Sequence, residues 1–370
     1  MTIRSLLLGS AAAIVSSQAF AADAIIIEPE PVEYVRVCDA YGSGFFYIPG
    51  TETCLRISGY VRFQLGFSTD DDAVNNGLYG FDDDTYNANV RARVNFDARS
   101  ETEWGTLRSY IRLQADETAI APGADPSVEI DQAFIEIAGF TMGYTGSFYG
   151  VFGESYGEDS LNDGSGDDVT LIGYSYAANG FAAGISLEDD ATGDYAPDVV
   201  GYLGYSWDAF TVFGSVAYDE QVTVTNDDGW AAKIGGSYAN DTFKFLLVGL
   251  WADSGNAHAP GTGDDDQGDL GGNAFGGGSE WSVLASTEFA VAENLALVLG
   301  AQYFWNFYEV ADPFDETDVD GYQIEANVIW EPVTNFEVLT GVAYRDTLDD
   351  GGATVDDGEL EGFIRFTRAF

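Results

Sequence analysis

From Ile57 onward the chain alternates apolar and polar positions with a period of two, and nowhere does it sustain the 3.6-residue repeat of an amphipathic helix. Tyr322, Ile324, Ala326, Val328 and Trp330 fall on one face of a strand, Gln323, Glu325 and Asn327 on the other. Trp230, Ala232, Ile234, Gly236 and Tyr238 alternate with Ala231, Lys233, Gly235 and Ser237. Val90, Ala92, Val94, Phe96 and Ala98 alternate with Arg91, Arg93, Asn95, Asp97 and Arg99. The second face is often charged and never continuously apolar. A soluble sandwich would hide the apolar face in a core. A membrane barrel would turn it to lipid and keep the polar face around a wet lumen.

The connections favour the barrel. Links at 100–105, 138–140, 178–180, 208–209, 239–241, 292–294 and 331–335 are short. Those at 68–86, 117–127, 147–168, 189–197, 219–228, 252–279, 309–320 and 347–358 are long and polar, most of them acidic. Short and long alternate, and the runs between them number 16 candidate strands. An even strand number with turns at one end and long loops at the other is the pattern of an up-and-down membrane barrel. The expected fold is therefore all-β: a 16-stranded antiparallel transmembrane β-barrel with short periplasmic turns and long external loops. Trp104, Phe140, Trp207, Phe210, Trp330 and Phe336 flank short turns, while Tyr79, Trp230 and Trp251 lie nearer the long loops, as two aromatic girdles require. The chain ends on an alternating run closed by Phe370.

Charge and cysteine usage narrow the function. Against 62 Asp and Glu stand 14 Lys and Arg, a net charge of −48. A chain this acidic lacks the basic footprint that nucleic acid demands. Its single His makes most histidine-dependent catalysis improbable. No apolar run reaches the roughly 18 residues of a spanning helix. Residues 1–21 read as a signal peptide: Arg4 is the positive start, 6–15 the apolar stretch and Ala19-Phe20-Ala21 the cleavage site. Export to an oxidising compartment pairs Cys38 with Cys54, the only two thiols, which lie close in sequence. The expected organisation is a signal peptide at 1–21, a periplasmic segment with the disulfide at 22–56, and the barrel at 57–370.

Two stretches carry a family resemblance. Val35-Arg36-Val37-Cys38-Asp39-Ala40-Tyr41-Gly42 and the run from Phe46-Tyr47-Ile48-Pro49-Gly50 through Ser58-Gly59-Tyr60-Val61-Arg62 closely resemble the start of alphaproteobacterial (Rhizobiales-type) outer-membrane general porins. The Leu-Leu-Leu-Gly-Ser-Ala-Ala-Ala of 6–13 is similar to their signal peptides. The likeness extends more loosely through Ser100-Glu101-Thr102-Glu103-Trp104-Gly105 to the terminal Phe. It implies a trimeric 16-stranded barrel in the cell outer membrane of a Gram-negative bacterium, passing small hydrophilic solutes, with its third long loop folded into the lumen. Its partners would be outer-membrane lipid and lipopolysaccharide, further copies of the chain, and small solutes and ions. The strongly acidic loops depart from the family pattern.

The basic residues are segregated. Arg62, Arg91, Arg93, Arg99, Arg108 and Arg112 crowd the first three strands, no Lys or Arg occurs from Leu113 to Ala232, and Arg345 and Arg365 lie on the last two strands. Closing a barrel makes first and last strands neighbours. Alternation turns Arg62, Arg91, Arg93, Arg108, Arg112, Arg345 and Arg365 inward as a basic wall, since Arg on the lipid face costs roughly 2–4 kcal/mol at mid-bilayer. Segment 147–168 contains Glu154, Glu158, Asp159, Asp163, Asp167 and Asp168 and no base. Folded inward, it would set carboxylates, chiefly Glu154, Glu158, Asp159 and Asp163, across a water-filled gap from the arginines. Phe148, Tyr149, Phe152 and Tyr156 would anchor it. The result would be a transverse field at the constriction. The plainer reading has the arginines neutralising strand acids such as Asp97.

Other constellations are weak. The Gly261-to-Asp269 run lacks both a repeat period and EF-hand spacing. No bound cofactor or built metal site is expected; clustered loop carboxylates suit only loose Ca²⁺ or Mg²⁺ association. His258, among Asn256, Pro260 and Gly261, reads as a solvated loop residue. No P-loop, G-x-S-x-G or ordered triad occurs, so the chain reads as a channel and not an enzyme. The alternative within transport is a substrate-specific channel for a sugar or organic acid, for which Tyr60 and Tyr110 alone are too short an aromatic track.

Overall fold

The computed structural model describes residues 36–69, 86–118, 128–157, 161, 168–189, 195–222, 227–261, 278–309, 312–348 and 358–370. The signal peptide at 1–21, the loop acids Glu158, Asp159 and Asp163, and the Gly-Asp run from residue 262 onward lie outside them.

The alternation produces strands in the expected order: β1 (Phe46–Tyr47), β2 (Cys54–Ser68), β3 (Tyr86–Thr102), β4 (Gly105–Thr118), β5 (Val128–Ile137), β6 (Phe140–Gly146), β7 (Asp168–Ala178), β8 (Phe181–Asp189) and β9 (Asp198–Trp207). They continue with β10 (Phe210–Asp219), β11 (Gly229–Ala239), β12 (Phe243–Ala252), β13 (Ser279–Ala292), β14 (Leu295–Glu309), β15 (Asp312–Glu316), β16 (Asp320–Val333), β17 (Phe336–Leu348) and β18 (Glu359–Ala369). Every pairing is antiparallel, and β18 pairs with β2 from Glu361–Ser68 to Ala369–Tyr60, closing the ring. Among the described residues the barrel proper has 16 strands. β15 is a short addition on β14. β1 lies on β2 at Cys54 and Leu55, beyond the point where β18 stops, and so covers a length of β2 edge that closure leaves bare.

Turn chemistry explains which connections are short. Ala138-Gly139 and Asn179-Gly180 both take positive φ at two successive residues (52° and 87°, 52° and 82°). Such turns match the strand twist of a two-residue hairpin. All seven short links occur where the alternation breaks in the sequence, and all lie at one end of the barrel.

The burial pattern is inverted relative to a soluble sheet. Outward residues such as Val61, Ile111, Ile185, Leu203, Leu247, Val283, Ile324 and Val342 are exposed, and Ile234 reaches 73%. Inward ones such as Gln64, Gln114, Ser186, Ser286, Gln302, Gln323 and Asn327 are buried. Leaving an apolar band bare is stable only where the surrounding solvent is hydrocarbon. Aromatic contacts rim that band at the turn end, running Tyr205–Trp207–Phe210–Tyr238–Phe243–Phe289 across β9 to β13. At the loop end stand Tyr218–Trp230, Trp251–Trp281 and Tyr303–Trp305.

Candidate functional site

The third long loop enters the barrel. Ser147 Oγ accepts the Tyr149 N–H (3.1 Å) and caps a 3₁₀ turn at Phe148–Val151. The Phe148 N–H donates to Glu188 Oε1 on β8 (3.0 Å), which also accepts the Ser186 hydroxyl. Phe152 stacks on Phe213 of β10 (5.5 Å) and meets Tyr202 of β9 edge-on. The Tyr156 N–H donates to Ser286 Oγ of β13 (3.0 Å). Leu161 packs beside Gly300 of β14, and Gly157 lies against Glu325 of β16. The loop thus runs along the inner faces of β7 to β16. Its aromatics sit where inward positions carry no side chain: a Cβ at Gly173 would stand 2.5 Å from the Phe148 ring, and one at Gly204 2.4 Å from the Phe152 ring.

The arginines occupy the wall that this loop leaves uncovered. Register sets Arg62 opposite Arg91, Tyr60 opposite Arg93, Arg99 opposite Arg108, and Arg365 opposite Gln64. Like charges directly opposed repel, and strand carboxylates relieve them. Arg91 pairs with Asp116 (2.7 Å), Arg93 and Arg112 both with Asp131 (3.3 and 2.9 Å), and Arg108 with Glu136 (2.8 Å) and Asp97 (3.2 Å). Arg345 pairs with Glu359 and with Glu361. Arg365 is buried, donates to Gln64 and lies over the Phe363 ring. Arg91 is buried too, whereas Arg93, Arg108, Arg112 and Arg345 keep partial exposure. Glu154 is exposed on the inward loop.

Asp131 reaches its place through a β-bulge. Arg112 faces Gln132 while Leu113 faces Ile130, so Asp131 is an extra residue on β5. A bulge of this kind re-aims a side chain; here Asp131 and Gln132 both serve the lumenal wall. The sequence carries a signal for it: the apolar phase runs Val128, Ile130 and then shifts to Ala133, Ile135, Ile137. Asp116, Asp131, Glu136, Glu359 and Glu361 are wall residues that the charge pattern alone did not single out.

His258 departs from the expectation of a solvated loop residue. It is 4% exposed, its ring 5.0 Å from that of Tyr149. Lys233 of β11 stands 4.8 Å from the Tyr149 ring centroid. Burial, and then the Lys233 charge, lower the imidazole pKa to about 4. Asn256 holds the external loop in place: its Oδ1 accepts the His258 N–H (3.0 Å), and its Nδ2 donates to the Trp230 carbonyl (3.1 Å). One loop from outside the barrel therefore packs against the first turn of the loop inside it.

At the turn end Cys38 and Cys54 form a disulfide, Cα to Cα 6.0 Å. It closes the segment carrying β1 against β2. Phe45 is buried beside it, with the guanidinium groups of Arg56 and Arg99 5.0 and 5.2 Å from its ring centroid.

Among the described residues no group of three or more metal-ligating side chains is assembled. The geometry is that of a closed barrel with an apolar belt, a polar lumen and a loop that narrows it, which defines an outer-membrane channel. The model of a porin subfamily matches residues 23–360. Porin Omp2b of Brucella suis biovar 1 (strain 1330) is 34% identical over 401 aligned positions, covering 100% of both chains, and Porin Omp2b of Brucella melitensis biotype 1 matches to the same extent. The outer membrane channel DcaP of Acinetobacter baumannii has the same fold (TM-score 0.62, 15% identity, 87% of this chain and 99% of that one). So does an anion-selective porin from Comamonas acidovorans (TM-score 0.56, 13% identity, 86% and 100%). The chain belongs to the porin family and is a multi-pass β-barrel of the Gram-negative outer membrane.

Proposed function

We propose that the barrel passes small hydrophilic solutes and ions by passive diffusion, and that a transverse field at its narrowest level sets the charge preference. The basic side is Arg62, Arg91, Arg93, Arg108, Arg112, Arg345 and Arg365; the acidic side is the inward loop through Glu154, with Glu158, Asp159 and Asp163. The observation that carries this reading is segregation: the loop's contacts fall on β7 to β16, and the arginines lie on β2 to β4, β17 and β18. Low-dielectric walls focus such a field, and salt screens it. The strand carboxylates temper the basic side unevenly: Arg93 and Arg112 share Asp131, whereas Arg345 meets both Glu359 and Glu361.

The inward rings favour the general channel over the substrate-specific one. Tyr60 lies against Arg62 and Arg93 (5.1 and 5.3 Å), and Tyr110 against Arg108 and Arg112 (4.9 and 5.9 Å). Rings engaged by cations in this way are not a bare apolar track for a sugar. In the same reading residues 1–21 are removed on export, three copies assemble in the membrane, no cofactor takes part, and the acidic external loops meet lipopolysaccharide through loosely held divalent cations.

The test is the reversal potential across a planar bilayer in a salt gradient. The double variant R62A/R93A should shift it toward cation preference; an unchanged potential would remove these residues from the filter. A saturable block by one sugar or organic acid would replace the general reading with the specific one.

A further inference from the structure

A basic cluster lies at the turn end, and two of its members, Arg56 and Arg99, have no part in the reading above; the third, Arg108, is the turn-end member of the basic side already described. Arg56 is two residues from the start of β2, Arg99 three from the end of β3, and Arg108 three from the start of β4. All three therefore stand at the turn end. They converge on one carboxylate. Asp97 accepts from Arg99 (2.9 and 2.7 Å), from Arg108 (3.2 and 3.3 Å) and from Arg56 (3.5 Å), while its own side chain is only 2% exposed. Arg108 has one further bond, to Glu136.

The donors exceed the acceptors. Each guanidinium carries five N–H donors; the three together make six hydrogen bonds, five to Asp97 and one to Glu136. The direct partners of the three guanidinium groups are thus two carboxylates, Asp97 and Glu136. The Arg56 side chain is 40% exposed and makes a single bond, to Asp97, so its outer N–H groups are open to an entering acceptor.

Aromatic side chains wall the cluster. Phe45 covers Arg56 and Arg99, Tyr41 lies 5.9 Å from Arg99, and Tyr110 and Phe134 flank Arg108 at 4.9 and 5.2 Å. The Tyr41 hydroxyl donates to Glu101 Oε1 (3.0 Å), which also accepts the Thr106 hydroxyl (3.0 Å). Apolar walls around forked donors strengthen their pull on an anion, and the fork matches two oxygens of one group at once.

We propose that Arg56 and Arg99, with Arg108 beside them, form a binding site for a small oxyanion at the periplasmic mouth, with the disulfide-closed segment as its lid wall. The ligand class is a phosphate-like or carboxylate dianion, entering from the turn side. Occupancy places negative charge at the exit and slows the passage of further anions. The site goes beyond the field at the constriction, because Arg56 and Arg99 lie outside it.

The probe is inorganic phosphate at pH 8. In a planar bilayer, phosphate added to the turn-side chamber should reduce the chloride current saturably, and the same addition on the loop side should act more weakly. R56Q/R99Q should raise the half-blocking concentration about ten-fold, the loss of roughly one charge-assisted hydrogen bond. If that variant does not fold, R56K/R99K decides, since it keeps the charge but loses the fork and should also weaken the block. Calorimetric titration of the detergent-solubilised wild type with phosphate reads the site without any current. A protein that binds phosphate in detergent yet conducts nothing would sink the diffusion reading and leave the site standing. Linear, non-saturable phosphate effects together with no heat of binding would overturn the site. So would a block that R56K/R99K leaves unaltered and R62A/R93A abolishes, which would return the anion to the constriction.

Discussion

The imidazole of His258 lies 5.0 Å from the ring of Tyr149, and both are buried where an external loop meets the root of the loop inside the barrel. The contact works only while the imidazole is neutral. Protonation would put a second positive charge beside Lys233, whose ammonium already faces the same tyrosine.

The pH dependence follows with a definite sign. The ordinary histidine pKa is 6.5, and burial with Lys233 brings it to about 4. Between those values a released loop takes up a proton that the packed loop refuses. Packing therefore loses stability as pH falls through this window, by about 3 kcal/mol once pH 4 is reached. Current fluctuations should increase between pH 6.5 and 4, and H258F, neutral at every pH, should flatten the response. An identical pH profile in H258F would disprove the assignment.

Gly204 should be intolerant for a purely local reason. A methyl group there would stand 2.4 Å from the Phe152 ring. G204A should displace the inward loop at a cost of about 1–3 kcal/mol and change single-channel conductance. G201A is the control, since its methyl would meet only the Gly184 carbonyl at 3.7 Å. Equal conductances in the two variants would show that Phe152 does not hold the loop.

Asp131 tempers two arginines at once, so D131N should make the wall beside Arg93 and Arg112 more positive by one charge. One unit charge acting across about 8 Å of water is worth about 0.5 kcal/mol, roughly a two-fold change in local ion concentration. The permeability ratio should move toward anions by about that factor and lose the effect at high salt. Reversal potentials at two ionic strengths check both parts.

The disulfide should be a stability element of the turn end. A closed loop of this length contributes roughly 3 kcal/mol in the chain-entropy model, and its loss frees the segment that bears Phe45. C38S/C54S should melt at lower temperature in detergent, and a reductant should lower the wild-type midpoint without altering the variant. A variant as stable as the wild type would relegate the bond to decoration.

Much of this architecture was legible in the residues. Strands such as β16, with Ile324, Val328 and Trp330 on one face and Gln323, Glu325 and Asn327 on the other, carry the period-two signal in full, and Asn179-Gly180 marks its own turn. The inward faces of Arg62, Arg91 and Arg93 followed from parity alone. What parity could not supply was partnership. The pairing of Arg91 with Asp116 needs the register between β3 and β4, and Asp131 needs a bulge that shifts the phase within β5. Nor could it reveal the burial of His258, because the neighbours that hide it, Tyr149 and Lys233, are 109 and 25 positions away in the chain. The path of the inward loop was encoded in a form easy to overlook, as glycines at inward positions 173 and 204 that leave room for rings arriving from elsewhere.

The seam between β2 and β18 joins Gln64 to Arg365, partners 301 positions apart. Bringing such distant segments together is entropically slow, and every earlier intermediate carries two raw margins of unmet N–H and C=O groups. Hydrocarbon cannot tolerate those margins. The chain is consequently a lawful resident of the bilayer only once its last strand, eleven residues long, has met β2 and zipped the cylinder shut.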